Sequence, residues 1–412
     1  MLDMATKKLL LVNHYLTGKG GAGGSRHFDL ARELVRKGWK VTLVGARTSS
    51  WPGIFGAPRR ETHDGVEFLW YPVPPYAGNG IGRFANMIWF ALRAFLLGKR
   101  SLADVPTVVV GSTVHPLAAL AAFGLARRWR LPFVFEVRDI WPQSLVDLGR
   151  LSERHLATRI LNQIEAILLC NAREVITLLP TSEAYLLSRG ARPGRVSYIP
   201  NGVDFALLEY VPPVEKPSGE LRLMYLGSHG EAHSLHHIVM AAKKIKEDAT
   251  FDGTSISFDF YGEGPEKRKL IELAAKYELG NVRFRPAVPK QEISRVAADA
   301  DGFILNMPKA DVFKHGISPN KLFDYMAFGR PVLFCCNSKF NPIRDSNAGL
   351  TVEPESPESL VEAISELLRM GHAKRAEMGA RGLDYARAEH DVARLGARFG
   401  EVLDRTSGDR NG

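Results

Sequence analysis

The sequence predicts an α/β protein made of two successive doubly wound domains with parallel sheets. Short apolar, β-branched runs alternate with longer amphipathic stretches, and this alternation stops once, at a proline-rich segment, before it starts again. The 412 residues agree with two domains, since about 100–200 residues per domain is usual. We therefore expect a first domain at residues 1–209, a linker at 210–219, a second domain at 220–382 and a C-terminal helix, 383–412, that returns toward the first domain.

Seven strands are predicted in the first half of the chain, because seven short runs there are rich in β-branched and other apolar residues. Helical patterns lie between them, for example at Ser25–Lys37 and Pro116–Trp129. The predicted strands are Lys8–Val12, Lys40–Val44, Val66–Tyr71, Val105–Gly111, Phe133–Val137, Val175–Leu178 and Val196–Ile199.

The segment Tyr210–Gly219 is rich in proline and turn residues and has no periodicity, which predicts a linker between domains. Ligands of doubly wound sheets bind outside the carboxyl ends of the strands, so we expect the site in a cleft between the two domains. The last helical stretch covers Pro357–Met370 and Arg375–Arg405. The strands predicted after the linker are Leu221–Leu226, Ser255–Tyr261, Val282–Phe284, Gly302–Asn306, Val332–Phe334 and Gly349–Val352.

The basic residues are unevenly distributed. The formal net charge is +9, but residues 1–204 contain 26 Lys and Arg against 15 Asp and Glu, whereas residues 205–412 contain 28 against 30. With 45% hydrophobic residues, this composition excludes a disordered polyelectrolyte, and no nucleic-acid-binding motif accompanies the basic excess. Cys170, Cys335 and Cys336 have neither zinc-site nor disulfide-framework spacing, which predicts a reducing, cytosolic compartment.

One apolar segment, Phe84–Leu97, has two possible interpretations. It is shorter than the roughly 20 apolar residues that a spanning helix needs. It contains Arg93 and is flanked by Arg83, Lys99 and Arg100. Such a helix is able to lie on a membrane surface, but it equally resembles a helix that covers an α/β sheet, and the basic flanks favour the surface only weakly.

A glycine-rich loop follows the first strand and precedes a helix, an arrangement in which backbone amides bind anions. Gly18, Gly20 and Gly23 satisfy the pattern G-x-G-x-x-G. The next strand is followed by Arg47 instead of the acidic residue that holds a ribose in NAD sites, and an arginine there suits a 2′-phosphate. An NADP-dependent oxidoreductase is therefore one alternative, and a loop that binds nothing is another.

Four further motifs follow strands and would line the predicted cleft. They are I-P-N-G-V-D at 199–204, Y-L-G-S-H-G at 225–230, D-F-Y-G-E-G-P at 259–265 and S-P-N-K-L-F-D-Y-M-A-F-G-R-P at 318–331. His233 and His237 lie four residues apart on a predicted helix, near His229 and His236, which invites a metal site. The absence of a carboxylate from that turn argues against a metal.

In their order and spacing, these motifs resemble the family 4 glycosyltransferases of the GT-B type, and the resemblance runs nearly from end to end. The variants E-V-R-D-I-W-P at 136–142 and S-P-N-K-L-F-D-Y-M at 318–326 are similar to the branch that includes the N-acetyl-L-fucosamine transferases of O-antigen and capsule assembly. The resemblance implies a GT-B fold and retaining transfer of an amino- or deoxy-sugar from a nucleoside-diphosphate donor. It favours UDP and implies no metal and no cofactor.

The resemblance also implies roles for single residues. Asp324 matches the second glutamate of the family's Glu-x7-Glu, which binds the ribose hydroxyls, although a solvent-facing helix carboxylate is the alternative. The position of the first glutamate holds Gly316, so we expect backbone amides around Ile317 and Ser318 to substitute. Lys321 is our candidate for binding the diphosphate and neutralising the leaving group.

Two further departures concern the donor. The family usually places an arginine and a lysine after the first strand of the second domain, where this chain has His229, so we expect His229 and the amides of Gly230 and Glu231 to replace them. Arg138 and Asp139 occupy the place of a histidine that often faces the donor sugar, with a buried structural Arg–Asp pair as the alternative.

Together these observations give a set of candidate residues. His115 follows a strand and is the acceptor-side candidate, while Lys321, Arg138 and Asp139 are the catalytic candidates. The Glu263 loop is expected to contact the nucleotide, although Gly-Pro turns are also common as structure alone. The donor-binding candidates are Gly23, Gly24, Gly227, His229, Gly230, Gly262, Glu263, Gly264, Ile317, Ser318, Asn320 and Asp324.

The expected partners are a nucleoside-diphosphate sugar, a lipid-linked saccharide acceptor and an anionic membrane surface, with no nucleic acid. We expect a peripheral protein at the inner face of the cytoplasmic membrane, because a basic first domain suits anionic lipid. The missing first glutamate keeps a non-catalytic or epimerase-like protein that binds sugar nucleotides as a further alternative.

Overall fold

A computed structural model describes residues 7–18, 25–47, 58–76, 78, 80–113, 115–147, 149, 151–213, 215–217, 219–289 and 292–408. Its strands are β1 Lys8–Val12, β2 Lys40–Arg47, β3 Arg59–His63, β4 Val66–Pro72, β5 Val108–Ser112, β6 Phe133–Val137, β7 Glu174–Thr177, β8 Val196–Tyr198, β9 Glu220–Leu226, β10 Ser255–Tyr261, β11 Val282–Arg285, β12 Gly302–Asn306, β13 Val332–Cys335 and β14 Gly349–Val352. Its α-helices are α1 Arg26–Arg36, α2 Ile81–Phe95, α3 Pro116–Trp129, α4 Gln143–Asp147, α5 Leu156–Asn171, α6 Glu183–Ser188, α7 His236–Glu247, α8 Lys267–Lys276, α9 Ile293–Ala298, α10 Asn320–Ala327, α11 Pro342–Asp345, α12 Pro357–Arg369, α13 Gly371–Glu389 and α14 Val392–Gly408.

The chain divides into two compact units. The first contains Met1–Pro200, His315–Ile317 and Val392–Gly412, and the second contains Asn201–Lys314 and Ser318–Asp391. Each unit has its own parallel sheet, which confirms the predicted fold class of two α/β domains. The predicted cleft concerns the placement of one unit against the other and stays a prediction.

The first unit is built on an eight-stranded sheet with the order β3-β4-β2-β1-β5-β6-β7-β8. Neighbouring strands are parallel except for the antiparallel pair of β3 and β4. Strands β2 and β4 lie on one side of β1 in the sheet, and strands β5, β6, β7 and β8 follow in order on its other side. The carboxyl ends of β1 and β5 therefore form the topological switch point at which doubly wound sheets bind ligands.

Helices cover both faces of this sheet, since successive residues of a strand point to opposite faces. Leu10 and Val12 of β1 pack into a core shared with α2, α3 and α5, whereas Leu9 and Leu11 pack into a core shared with α1 and α14. The last helix lies close to α1: a side chain at Gly396 would bring its Cβ to 2.4 Å from the Cβ of Glu33.

The second unit contains a six-stranded sheet with the order β11-β10-β9-β12-β13-β14, in which all neighbours are parallel. Helices α7, α8 and α12 cover one face over a core that includes Leu221, Phe258 and Ile364. The order reverses between β9 and β12, so the switch point of this sheet lies at their carboxyl ends. The loops that follow β9 and β10 carry two of the glycine motifs.

The structure differs from the sequence-based expectation at one strand and at several boundaries. All predicted strands are present within a few residues, but β3 was not predicted, because its sequence R-R-E-T-H has no apolar residue. The strand predicted from Val105 begins at Val108 instead, and Pro106 in between lacks the N–H that a ladder needs. The predicted last helix is two helices, α13 and α14, which break at His390 and Asp391.

The predicted linker is part of the second unit, which begins at Asn201. The Arg330 guanidinium, only 1% exposed, donates hydrogen bonds to the carbonyl oxygens of Val211, Ala298, Ala300 and Phe328. It thereby ties the proline-rich segment to the sheet. Across the described part of the chain, no helix has the length and apolar character needed to cross a membrane.

Candidate active site

Two glycine loops meet at the switch point of the second sheet. Gly227 follows β9 with φ +148°, and Gly262 follows β10 with φ +145°, a region that side chains rarely adopt. A Cβ at Gly262 would lie 1.9 Å from the carbonyl oxygen of Gly227. The backbone N–H of His229 donates to the carbonyl of Glu263 at 2.9 Å, which joins the two loops. Glycine is therefore required where the two backbones approach each other.

Lys321 lies across these loops from the first turn of α10. A Cβ at Gly227 would be 1.9 Å from its Cε, so the lysine chain passes directly over the glycine. Its Nζ is 2.8 Å from His233 Nε2 and 5.3 Å from the centre of the Tyr225 ring. Burial lowers the pKa of Lys321 to about 8, although the nearby Asp324 carboxylate opposes this shift.

His229 is fully buried beside this lysine, and neither of its ring nitrogens has a hydrogen-bond partner among the described residues. Its ring stands edge-on to Phe260 at 6.3 Å and to Phe284 at 6.2 Å. Burial, and then the charge of Lys267, lower the pKa of His229 to about 4. Burial of an imidazole without hydrogen-bond partners costs free energy, which indicates that a polar ligand completes this site.

The loop that contains Glu263 is anchored by a lysine. Lys267 Nζ donates to Glu263 Oε1 at 2.7 Å and to the carbonyl oxygens of Gly262 at 2.9 Å and Arg285 at 3.0 Å. The hydrogen bond from Lys267 to Glu263 holds the pKa of the exposed Glu263 carboxyl below its usual range. Gly264 packs on the backbone of His229, where a Cβ would be 2.4 Å from the carbonyl oxygen.

The start of α10 is fixed by the I-P-N-G-V-D motif. Asn201 donates from its backbone N–H to Ser318 Oγ at 3.0 Å and from Nδ2 to the carbonyl oxygen of Ser318. Asn320 and Asp324 are both half-buried, and Asp324 lies one turn after Lys321. Ser318 thus lies just before the first residue of α10, and Lys321 and Asp324 lie in the N-terminal part of this helix.

Gly316 and Ile317 belong to the first unit, not the second. Gly316 has φ +92°, and a Cβ there would lie 2.4 Å from Cδ of Pro180. The neighbouring His315 carbonyl accepts a hydrogen bond from Thr181 N–H at 3.2 Å. The backbone at this position has no room for the glutamate of the family pattern, which gives a physical reason for the departure.

In the first unit, the switch point holds a pair of buried histidines. His14 follows β1 and His115 follows β5, and their rings share a hydrogen bond of 2.7 Å from Nδ1 to Nε2. The His14 ring is stacked on Phe90 at 4.7 Å. Burial lowers the pKa of His14 to about 4 and that of His115 well below its usual value. His115 was a candidate from the sequence, whereas its partner was not.

Arg138 and Asp139 follow β6 in the same unit. The backbone N–H of Arg138 donates to Thr113 Oγ1 at 2.9 Å, and its buried Nε has no hydrogen-bond partner in the described part of the protein. Burial lowers the pKa of Arg138. Asp139 as a whole residue is exposed, yet burial of its carboxyl raises its pKa while the charge of Arg138 opposes this shift, so a structural Arg–Asp pair stays the alternative to a catalytic role.

Glu136 lies at the centre of a buried polar network and was not among the residues predicted from the sequence. Its carboxylate accepts hydrogen bonds from Arg26 Nε at 3.0 Å, from His27 Nε2 at 2.6 Å and from Ser112 Oγ at 2.6 Å. Burial alone would raise the pKa of Glu136, but Arg26 and His27 hold it well below the usual range. The signal in the sequence was a lone glutamate inside the apolar run of β6.

Some of the sequence-based candidates are not tested by the structure or have other partners in it. Gly23 and Gly24 lie outside the described residues, as does Gly20 of the G-x-G-x-x-G pattern, so their role stays a prediction. Arg47, proposed for a 2′-phosphate, instead pairs with Glu61 of β3 at 2.8 Å. Among the described residues, no group of three or more His, Cys, Asp or Glu is arranged to hold a metal ion.

The fold and this site define a class of protein: a two-unit α/β protein whose second sheet has a lysine, buried imidazoles and glycine turns at its switch point. The family model "Glycosyl transferase 4-like domain" matches residues 21–202, and "Glycosyl transferases group 1" matches residues 194–370. Together they cover most of the chain. The chain therefore belongs to the GT-B glycosyltransferases.

Individual relatives agree with this assignment. The chain is 22% identical to "Probable glycosyltransferase WbjE" of Pseudomonas aeruginosa over 274 residues. The match covers 64% of this chain and 66% of that protein, so the chain spans just under two thirds of the relative's length. Its fold is similar to that of WaaG, a glycosyltransferase involved in lipopolysaccharide biosynthesis, with a TM-score of 0.67, 19% identity and coverage of 97% and 100% of the two chains.

It is also similar to the Anabaena protein HepE in complex with UDP and glucose, with a TM-score of 0.64, 14% identity and coverage of 97% of this chain and 100% of that one. Identities this low show the fold alone.

Proposed function

We propose that the chain transfers a sugar from a nucleoside-diphosphate donor, with the diphosphate bound beside Lys321. The observation that carries the proposal is a half-buried ammonium whose one hydrogen-bond partner among the described residues is the neutral ring of His233. Next to it, both ring nitrogens of the buried His229 lack hydrogen-bond partners within the described part of the chain. A half-buried cation next to polar groups without partners favours binding of an anion, and hydrogen bonds from charged donors to phosphate are stronger than those between neutral groups.

The other donor contacts follow from this placement. Asp324, one turn after Lys321, is suited to accept hydrogen bonds from the ribose hydroxyls, as the family resemblance implies. The Gly262–Gly264 turn lies beside the same lysine and places Glu263 near the nucleotide. UDP is the proposed nucleotide, a proposal supported by the branch resemblance and by the complex of HepE with UDP and glucose. An amino- or deoxy-sugar is proposed on the resemblance to the fucosamine transferase branch.

We propose a retaining mechanism without a metal. As the bond to the sugar breaks, charge develops on the departing diphosphate, and the preorganised Lys321 ammonium stabilises that charge. The acceptor then attacks the oxocarbenium-like sugar on the same face, and the departing phosphate takes the acceptor's proton. Arg138 and Asp139 are proposed to face the donor sugar, and His115 the acceptor.

Ligand binding tests the donor. Isothermal titration with UDP, GDP and NADP is expected to give binding to a nucleoside diphosphate and none to NADP, while the reverse result would overturn the proposal. Lys321→Ala and Asp324→Ala are each expected to lose about tenfold or more in transfer rate, since a hydrogen bond to a charged group contributes about 1.5–3 kcal/mol. Wild-type rates in both variants would refute the assigned roles. Activity that EDTA abolishes would refute the metal-free mechanism.

The proposed acceptor is a lipid-linked saccharide of surface polysaccharide assembly, reached at the inner face of the cytoplasmic membrane. The support is the outer face of α2, where apolar side chains recur every three or four residues and face solvent: Ile81 is 88% exposed and Leu96 is 68% exposed. Arg83 and Arg93 on the same helix add positive charge. An apolar stripe with basic neighbours suits an anionic bilayer. The outer stripe consists of Ile81, Phe84, Ile88, Leu92, Phe95 and Leu96.

Vesicle sedimentation tests the membrane contact. The double variant Leu92→Gln, Leu96→Gln is expected to lose most of its binding to vesicles of phosphatidylglycerol and phosphatidylcholine, whereas Ile271→Gln, at an exposed apolar residue of the second unit, keeps it. Neutralising Arg83, Lys99, Arg100, Arg127, Arg128 and Arg130 is expected to weaken binding further. Unchanged sedimentation of both variants would remove the membrane from the proposal.

A further inference from the structure

His233 touches the proposed diphosphate site through Lys321, and neither the family resemblance nor the comparisons assign it a role. We propose that His233 is a positioning residue that holds the Lys321 ammonium over Gly227, ready for an anionic ligand. The inference rests on the proposed function, because it presumes that Lys321 binds the diphosphate of the donor.

The hydrogen bond between the two side chains has only one possible direction when Lys321 is charged. An ammonium has three donors and no lone pair, so His233 Nε2, 2.8 Å away, must accept. The ring is then neutral, with its proton on Nδ1. Burial, then the charges of Lys321 and His229, lower the pKa of His233 to about 4, which agrees with a neutral ring.

Three contacts together restrict the flexible lysine chain. Gly227 leaves the space through which Cε passes, the Tyr225 ring lies 5.3 Å from Nζ, and His233 fixes the direction of one N–H. Of these contacts, His233 alone accepts a hydrogen bond from the ammonium. Since no other acceptor for this ammonium is found among the described residues, two of its N–H groups are left for a ligand. A long side chain held in one geometry binds more tightly because less freedom is lost on binding.

The position of His233 is itself fixed by the sheet. Asn306, at the carboxyl end of β12, donates from Nδ2 to the carbonyl oxygens of His233 at 3.2 Å and Ser234 at 2.9 Å. Asn306 is buried, with only 2% of its surface exposed. His233 Nδ1 is buried and has no partner among the described residues, which places a second donor beside the ammonium.

The test compares two substitutions with a matched control. His233→Leu removes the acceptor and keeps the pocket apolar, whereas His233→Gln supplies an amide oxygen as a replacement acceptor. His236→Leu, at an exposed histidine three residues later, is the control. UDP affinity is measured by isothermal titration. The pH at which the Lys321 amine becomes reactive is measured without nucleotide, by acetic anhydride labelling and mass spectrometry.

We expect His233→Leu to weaken UDP binding about tenfold. We also expect Lys321 to become reactive at lower pH in this variant, since an ammonium without its acceptor in an apolar pocket loses its proton more readily. His233→Gln is expected to restore both properties to near wild type, and the control to leave both unchanged. Either result on its own would overturn the inference: wild-type UDP affinity in His233→Leu, or wild-type Lys321 reactivity in that variant.

The two arms separate this inference from the proposed function. If the wild-type protein binds no nucleoside diphosphate, the proposed function fails, and the labelling arm still decides whether His233 controls Lys321. If the wild type binds UDP but His233→Leu binds it equally well, the inference fails while the donor site stands. A melting curve of each variant identifies any that fails to fold, and His233→Gln then carries the comparison.

Discussion

The side chain of Lys321 packs directly against Gly227, so that a Cβ at residue 227 would lie only 1.9 Å from Lys321 Cε. The lysine and the glycine are 94 positions apart in the sequence, and the lysine occupies space that any side chain at 227 would need. Gly227 also has φ +148°, so it serves both the turn and the lysine.

Gly227→Ala is therefore expected to displace Lys321 and to weaken UDP binding by about tenfold or more, because a charge-assisted hydrogen bond is lost. The measurement is isothermal titration. The matched control is Gly230→Ala, in the same loop but with negative φ and 3.6 Å of room to its nearest neighbour, Ser228 Oγ. The control is expected to lose less UDP affinity than Gly227→Ala does. Equal losses of UDP affinity in the two variants would contradict the prediction, because the effect would then come from any change in this loop and not from displacement of Lys321.

Donor binding is expected to depend on pH through Lys321. Because burial lowers its pKa to about 8, the ammonium is present at neutral pH and is lost as pH rises through about 8. UDP affinity should accordingly fall from neutral to mildly alkaline pH, well before an ordinary lysine would titrate. Lys321→Gln is expected to bind weakly and without this dependence. An affinity in the wild-type protein that stays constant across this range would contradict the role of Lys321 as the binding cation.

The buried network of Glu136 is expected to support the stability of the first unit. Glu136→Gln leaves Arg26 and His27 without their carboxylate, and removal of one partner of a buried ion pair typically costs about 3–5 kcal/mol of unfolding free energy. Urea denaturation measures this loss. The control is Glu61→Gln. The Glu61 carboxylate pairs with Arg47 near the surface, so this variant is expected to lose at most about 1 kcal/mol of unfolding free energy.

The same network predicts the direction of acid sensitivity. The folded-state pKa of Glu136 is depressed, so its contribution is fully present above the ordinary pKa of a glutamate and is lost as pH falls toward the folded value. The difference in stability between wild type and Glu136→Gln should therefore shrink on acidification. A difference that grows at low pH would show that the carboxylate is not paired as described.

The sequence predicted the sheets well because a strand buried on both faces needs a continuous apolar run, which composition reveals. It failed at β3, an edge strand whose polar residues face solvent. At the site it identified the glycine turns, Lys321 and His229, which lie at strand ends and a helix start. It did not single out His14 or Glu136, and it considered His233 only as a metal ligand. The contacts of these residues are with partners distant in the chain, such as His115 and Lys321, and pairing of this kind leaves no local pattern.

Gly316 offers the last prediction, since it occupies the position of the first glutamate in the family pattern. Restoring that residue as Gly316→Glu is expected to destabilise the first unit. A side chain there meets Pro180 Cδ at 2.4 Å, and φ +92° is strained for any residue but glycine. Such backbone strain costs on the order of 1–3 kcal/mol, and thermal unfolding measures it.

The double variant Gly316→Glu, Pro180→Ala separates the two causes. Removing the proline ring relieves the clash but leaves the strained φ, so part of the lost stability should return, as expected for residues in direct contact. If the single variant is as stable as wild type, the backbone accommodates a glutamate and the departure at 316 needs another explanation. If the double variant is no better than the single one, strain at φ accounts for the whole loss and Pro180 for none of it.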